Sequence, residues 1–60
     1  MKKIIIHNKT NLDISSVLKA VEIHHLTSTG MFCDIKVGVV HFLSVRHENK
    51  DSVRYTIQNS

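Results

Sequence analysis

Apolar positions change period along the chain, and each change marks an element. KKIIIH, residues 2–7, runs three β-branched residues together, the pattern of a strand covered on both faces, with Ile5 pointing opposite to Ile4 and Ile6. HNKTNLD is polar and turn-prone, and Thr10-Asn11-Leu12-Asp13 reads as a capping-box start with Asn11 as a competing N-cap. Ile14, Val17, Leu18 and Val21 then follow i, i+3, i+4, i+7 spacing, so they share an arc of about 100° on a helix. The helix is predicted to end in LTSTG, where Gly30 can take a left-handed turn. Ile23 falls opposite the stripe: it is either exposed or the sign of an earlier helix end.

KVGVVHFLSVRH, residues 36–47, reads either as one strand or as two folded back at Gly38. An unbroken strand from Phe32 to His47 would extend about 50 Å at about 3.3 Å per residue, twice the breadth of a 60-residue domain. The chain therefore turns, and Gly38 is the one residue inside the run that takes positive φ without strain. The run divides into FCDIKV (32–37) and VVHFLSVRH (39–47); after the break at HENKDS, SVRYTI (52–57) alternates cleanly. The fold class is α+β: one helix packed on a small, mostly antiparallel sheet in the order β-α-β-β-β. With Gly38 as a bulge only, the order becomes β-α-β-β with a bend. Alternation sets Ile4, Ile6, Cys33, Ile35, Val37, Leu43, Val45, Val53, Tyr55 and Ile57 towards the helix, and Ile5, Phe32, Val40 and Phe42 on the far face.

One helix cannot shelter both sides of a sheet, so the second face, or an unpaired sheet edge, is expected to be buried against a second copy of the chain or a protein target. Ile5, Phe32, Val40 and Phe42 are the candidate interface residues, with Lys36, Arg46 and Arg54 as a charged rim. Length strengthens this expectation, because 60 residues form a single domain, 1–60, whose own core is marginal. With one cysteine, Cys33, no disulfide can form within the chain, which favours a reducing cytoplasm. No apolar run approaches the roughly 20 residues that span a bilayer, and MKKIII breaks at His7-Asn8 before a signal-peptide core. No membrane association is expected, and the chain should remain in the compartment where it is made. The net charge of +3 is dispersed in sequence, and only Phe32, Phe42 and Tyr55 are available to stack on bases.

Five histidines invite a search for chemistry. His24 and His25 are adjacent, about 100° apart on a helix, and cannot close on one ion as an i, i+4 pair does. Glu22 and His25 form a single E-x-x-H where di-metal bundles need two. His25 lies in the apolar arc, where a buried neutral imidazole with one hydrogen bond accounts for it. His41 and His47 share a face but stand about 20 Å apart. Cys33, directed inward among apolar neighbours, reads as a packed thiol. No nucleophile elbow, phosphate loop or metalloprotease motif is present. Neither an enzyme nor a cofactor or metal is expected.

KKIIIHNKTNLDISSVLKAV resembles the opening of short accessory proteins of phages and prophages of Gram-positive hosts. These begin K-I-I-I-H-N-K-T-L, run into a helix with A-L-x-x-V-like spacing, and continue with a Gly-containing turn near position 30. Phe32-Cys33 matches their aromatic-Cys strand start, and Asn49-Lys50, Ser52 and Tyr55 match a late N-K-x-S-x-x-F/Y segment. Where their pattern has an Asp-Gly-type turn, this chain has Val37-Gly38-Val39. The resemblance implies a small protein that binds and disables one host protein, such as a component of an antiviral defence system, in the cytoplasm of the bacterial host cell. Self-association as a homodimer or larger assembly is the companion expectation. The alternatives are a nucleic-acid-binding module whose sheet face carries Phe32, Lys36 and Phe42, and a minor structural virion protein.

Overall fold

Between Lys3 and the end of the last strand, the computed structural model describes residues 3–27 and 30–59. The elements are β1 (Lys3–Asn8), α1 (Ser15–Thr27), β2 (Phe32–Val37), β3 (Val40–Glu48) and β4 (Ser52–Asn59), an α+β fold in the predicted order β-α-β-β-β. They form one sheet in the order β1-β4-β3-β2. β2 and β3 make an antiparallel hairpin, β3 and β4 a second, while β1 lies parallel to β4, so the sheet is mixed. β1 and β2 thus occupy opposite edges, and α1 is the crossover that joins them.

The helix begins later than the capping-box reading places it. Asp13, not Thr10, caps it: the Ser15 N–H donates to Asp13 Oδ1 at 3.0 Å and the Ser15 hydroxyl at 2.6 Å. The Ile14 carbonyl accepts the first turn's bonds from Val17 and Leu18. Thr10 instead closes a preceding turn, its hydroxyl donating to Asn8 Oδ1 at 2.6 Å and accepting the Leu12 N–H at 3.1 Å. This is the competing use of short polar side chains that draws them from helices into turns. At the other end Ile23 is exposed, and the helix continues past it to Thr27. Ser28 and Thr29 of the predicted stop, like Lys2 of the predicted first strand, lie outside the described residues.

Gly38 is a hairpin turn, not a bulge: its φ is +63°, and Val37 pairs with Val40 across a two-residue loop of Gly38 and Val39. Glycine at the first central position is the requirement of a type II′ turn, whose twist suits the flanking strands. The turn also decides which way β3 faces. Residues that flank a two-residue loop oppose one another and project to the same side. Val37 faces the helix, so Val40 does too, and with it Phe42, Ser44 and Arg46.

Five placements are corrected by this register. Phe42 is a core residue, 3% exposed, paired with Ile35 on β2, and Val40 packs beside the same cluster. Leu43 and Val45 take the far face instead, opposite Asp34 and Phe32. Arg46 is not a rim charge: it lies on the helix side with its guanidinium 5.9 Å from the centre of the Tyr55 ring and 2.8 Å from Glu48. The core comprises Ile14, Val17 and Val21 against Ile35, Phe42, Val53, Tyr55 and Ile57, with Ser44 enclosed among them.

The helix leaves part of its own side of the sheet open. Four strands at about 4.8 Å spacing are wider than one helix of about 10 Å diameter, and α1 runs nearest β2. β1, at the opposite edge, is exposed at all six positions. Ile4 and Ile6 therefore face the helix side, as predicted, but stay about two-fifths in water, and Leu18 of the predicted helix stripe remains partly exposed beside them.

Candidate interaction surfaces

Two surfaces gather the residues that the fold does not bury. The first is a groove of about 360 Å³ between α1 and β1. Ile4 and Ile6 form one wall, Leu18 and Leu26 the other, and Val21 and Tyr55 the floor, with Glu22 and His25 at the helix rim. Its lining is apolar because the helical stripe extends beyond the width it can cover. Leu26, 76% exposed, is the most open of these side chains.

The floor is pinned by one polar contact. His25 Nδ1 and the Tyr55 hydroxyl lie 2.7 Å apart, one donating to the other according to the imidazole tautomer, with the rings edge-to-face at 83°. This provides the hydrogen bond expected for a histidine in the apolar arc. Burial pushes the Tyr55 hydroxyl above its usual ionisation range, a shift that nearby Arg46 partly opposes. Burial likewise raises the Cys33 thiol, with the adjacent Asp34 carboxylate adding to the effect. A thiol shifted upward is a weak nucleophile at neutral pH. Among the described residues no three His, Cys, Asp or Glu side chains converge on one point.

Beside the groove runs the outer edge of β1. Lys3 donates its N–H to the Asp51 carbonyl at 3.1 Å and Lys9 to the Ile57 carbonyl at 2.8 Å. In a parallel ladder every second residue bonds to the neighbouring strand. The odd residues, Ile5 and His7 included, therefore turn their peptide groups towards β4. Those of Ile4, Ile6 and Asn8 point outward.

The second surface is the far face of the sheet. Phe32, Leu43 and Val45 form an apolar patch on β2 and β3, with Phe32 directly opposite Val45 and 62% exposed. Ile5 shares the face but stands apart on β1, beside Arg54. Of the predicted interface, the fold brings Phe32, Lys36, Arg54 and Ile5 to this face and removes Val40, Phe42 and Arg46. Lys3, Lys36 and Arg54 project from it, joined at one end by Lys9, while Asp34 is its one acid among the described strand residues. His7, Lys9, His47 and Arg54 border a polar hollow of about 310 Å³. The register thus sets these cations on one face but apart on it, with Lys3 and Lys36 at opposite corners of the sheet.

Among the described residues no helix is long and apolar enough to cross a membrane. No protein-family description, curated protein or solved structure matches the chain.

Proposed function

We propose that this is a non-enzymatic interaction protein of the phage accessory kind, which binds a protein of its bacterial host in the cytoplasm and inhibits it, a component of an antiviral defence system being the type of target implied by the sequence resemblance. The observation that carries the binding role is the groove between α1 and β1. Ile4, Ile6, Leu18 and Leu26 stand in water around it, where burying each fully would contribute about 1.5–3 kcal/mol. In a chain of 60 residues that is a large share of the total stability.

The test compares variants that leave the core alone. Leu26→Glu and Leu18→Glu place a charge in the groove, and Val39→Glu places one on the fully exposed hairpin tip. Host cells expressing tagged protein should yield a stoichiometric partner with the wild type and with Val39→Glu, and lose it with both groove variants. Purified partner, titrated calorimetrically, should show the same order. A partner retained equally by all four proteins, or none at all, overturns the proposal.

A second reading is favoured by the charge of the far face. Lys3, Lys9, Lys36 and Arg54 against one Asp34 give the face a net positive charge, of the sign that a nucleic-acid surface needs, with Lys9 and Arg54 bordering one hollow. Removing Phe42 from that face leaves Phe32 as its only aromatic ring of the Phe, Tyr and Trp kind, so base stacking contributes less than the sequence implies.

A further inference from the structure

We infer that two copies of this chain join through β1, pairing antiparallel in the register that sets Ile5 against Ile5 of the second copy. Self-association is already an expectation of the sequence; which edge, the register and the symmetry are what the structure adds. The inference needs no host target.

The outward peptide groups of Ile4 and Ile6 are the starting point, since β1 is a sheet edge with no strand beyond it among the described residues. A twofold axis normal to the sheet brings two such edges together antiparallel, and each outward residue must then meet another outward residue for both to exchange N–H and carbonyl. Even positions therefore pair with even positions. Three registers satisfy this near the strand centre: Ile4 with Ile4, Ile6 with Ile6, or Ile4 with Ile6. Only the last opposes isoleucine to isoleucine at all three positions, with Ile4 and Ile6 making two reciprocal hydrogen-bonded pairs and Ile5 meeting its own copy on the axis. Lys3 then stands opposite His7, with no two lysines in register. The other edge is guarded: β2 carries Asp34 and Lys36 at the positions that the hairpin register turns outward, and α1 runs over it.

A joint along the edge of one six-residue strand is smaller than the standard interface of roughly 800 Å² per partner, which puts the dimer in the weak class and its test at high protein concentration. Both helices lie on the same side of the joined sheet, so the two apolar grooves open towards each other across the axis.

Sedimentation equilibrium over tens to hundreds of micromolar, on the full chain, should give a mass rising towards twice 6.8 kDa. Ile6→Pro removes an outward N–H while leaving every bond to β4, so it should remain folded by circular dichroism and sediment as a monomer. In a Cys33→Ser background, Ile5→Cys should form a disulfide-linked dimer under mild oxidation, because the two Cβ atoms face each other in a non-hydrogen-bonded pair, whereas Ile4→Cys should not. The crosslink decides the matter if Ile6→Pro fails to fold. A wild type that stays monomeric at the highest concentration overturns the inference, as does a dimer that survives Ile6→Pro or crosslinks at position 4 but not 5. Host binding is read separately: loss of a target with Leu26→Glu and an unchanged mass leaves the dimer standing, whereas a wild type that is monomeric yet loses its target with Leu26→Glu removes the dimer alone.

Discussion

Phe42 shows how much rests on single side chains in a domain of this size. It is nearly inaccessible and wedged between Ile35 and the β4 core residues. Truncating a buried phenylalanine costs about 3–5 kcal/mol, against a total of about 3–9 kcal/mol for 60 residues at typical stability per residue. Phe42→Ala should therefore unfold much of the population at room temperature, seen as a collapsed or missing urea transition, while Phe32→Ala on the exposed face should shift it by well under 1 kcal/mol. Tyr55 gives a pH signature of opposite character. Its buried hydroxyl stays neutral in the folded state over a range where the unfolded chain ionises, so the stability it confers is present below about pH 10 and declines as pH rises above that. Denaturation midpoints of the wild type should fall between pH 9.5 and 11.5 more steeply than those of Tyr55→Phe, which is destabilised at neutral pH through loss of the His25 bond.

At the scale of elements, the fold was legible wherever local chemistry and tertiary demand agreed. The three isoleucines of β1 and the alternation of β4 each place an element within about two residues of its observed bounds, and the i, i+3, i+4 run places α1, although its start falls about four residues after the capping box. β3 was not legible in the same way because both of its parities are apolar: Val40 and Phe42 on one, Leu43 and Val45 on the other. Ser44 and Arg46 made the true inward side look polar, although the first is small enough to enclose and the second covers the Tyr55 ring. The signal that would have decided the matter was the two-residue turn itself, which commits Val40 to the side of Val37. The groove was hidden for a different reason: periodicity tells which way Leu18 and Ile6 point, not whether a helix is wide enough to reach them. The turn carries its own prediction. A Cβ at Gly38 meets nothing within 4 Å, so the cost of Gly38→Ala comes from its φ of +63° alone. About 1–2 kcal/mol is expected, read as a lower denaturation midpoint with an unchanged m-value.

For the whole molecule, the sheet separates two kinds of surface that the sequence interleaves. α1 and the groove take the apolar excess on one side, while Lys3, Lys9, Lys36 and Arg54 look out on the other, with Asp34 among them. The parity that buries Ile35, Val53 and Tyr55 is what turns Lys36 and Arg54 outward, so this polarity follows from the fold and would exist whether or not an anionic partner uses it. Counterion release distinguishes use from by-product. If single-stranded nucleic acid occupies the face, its affinity must fall linearly with salt on logarithmic axes, each phosphate neutralised contributing about 0.7 to the slope. Arg54→Ala and Lys36→Ala should then each lower the slope by about that amount in anisotropy titrations with an oligothymidylate, and both together by about twice it. Lys19→Ala, on the exposed helix, should change nothing. Weak binding that drops equally with all three lysine and arginine variants would mark a nonspecific response to net charge. No binding even at low salt would leave the cations of that face as solvated charge and would favour the groove on the opposite side.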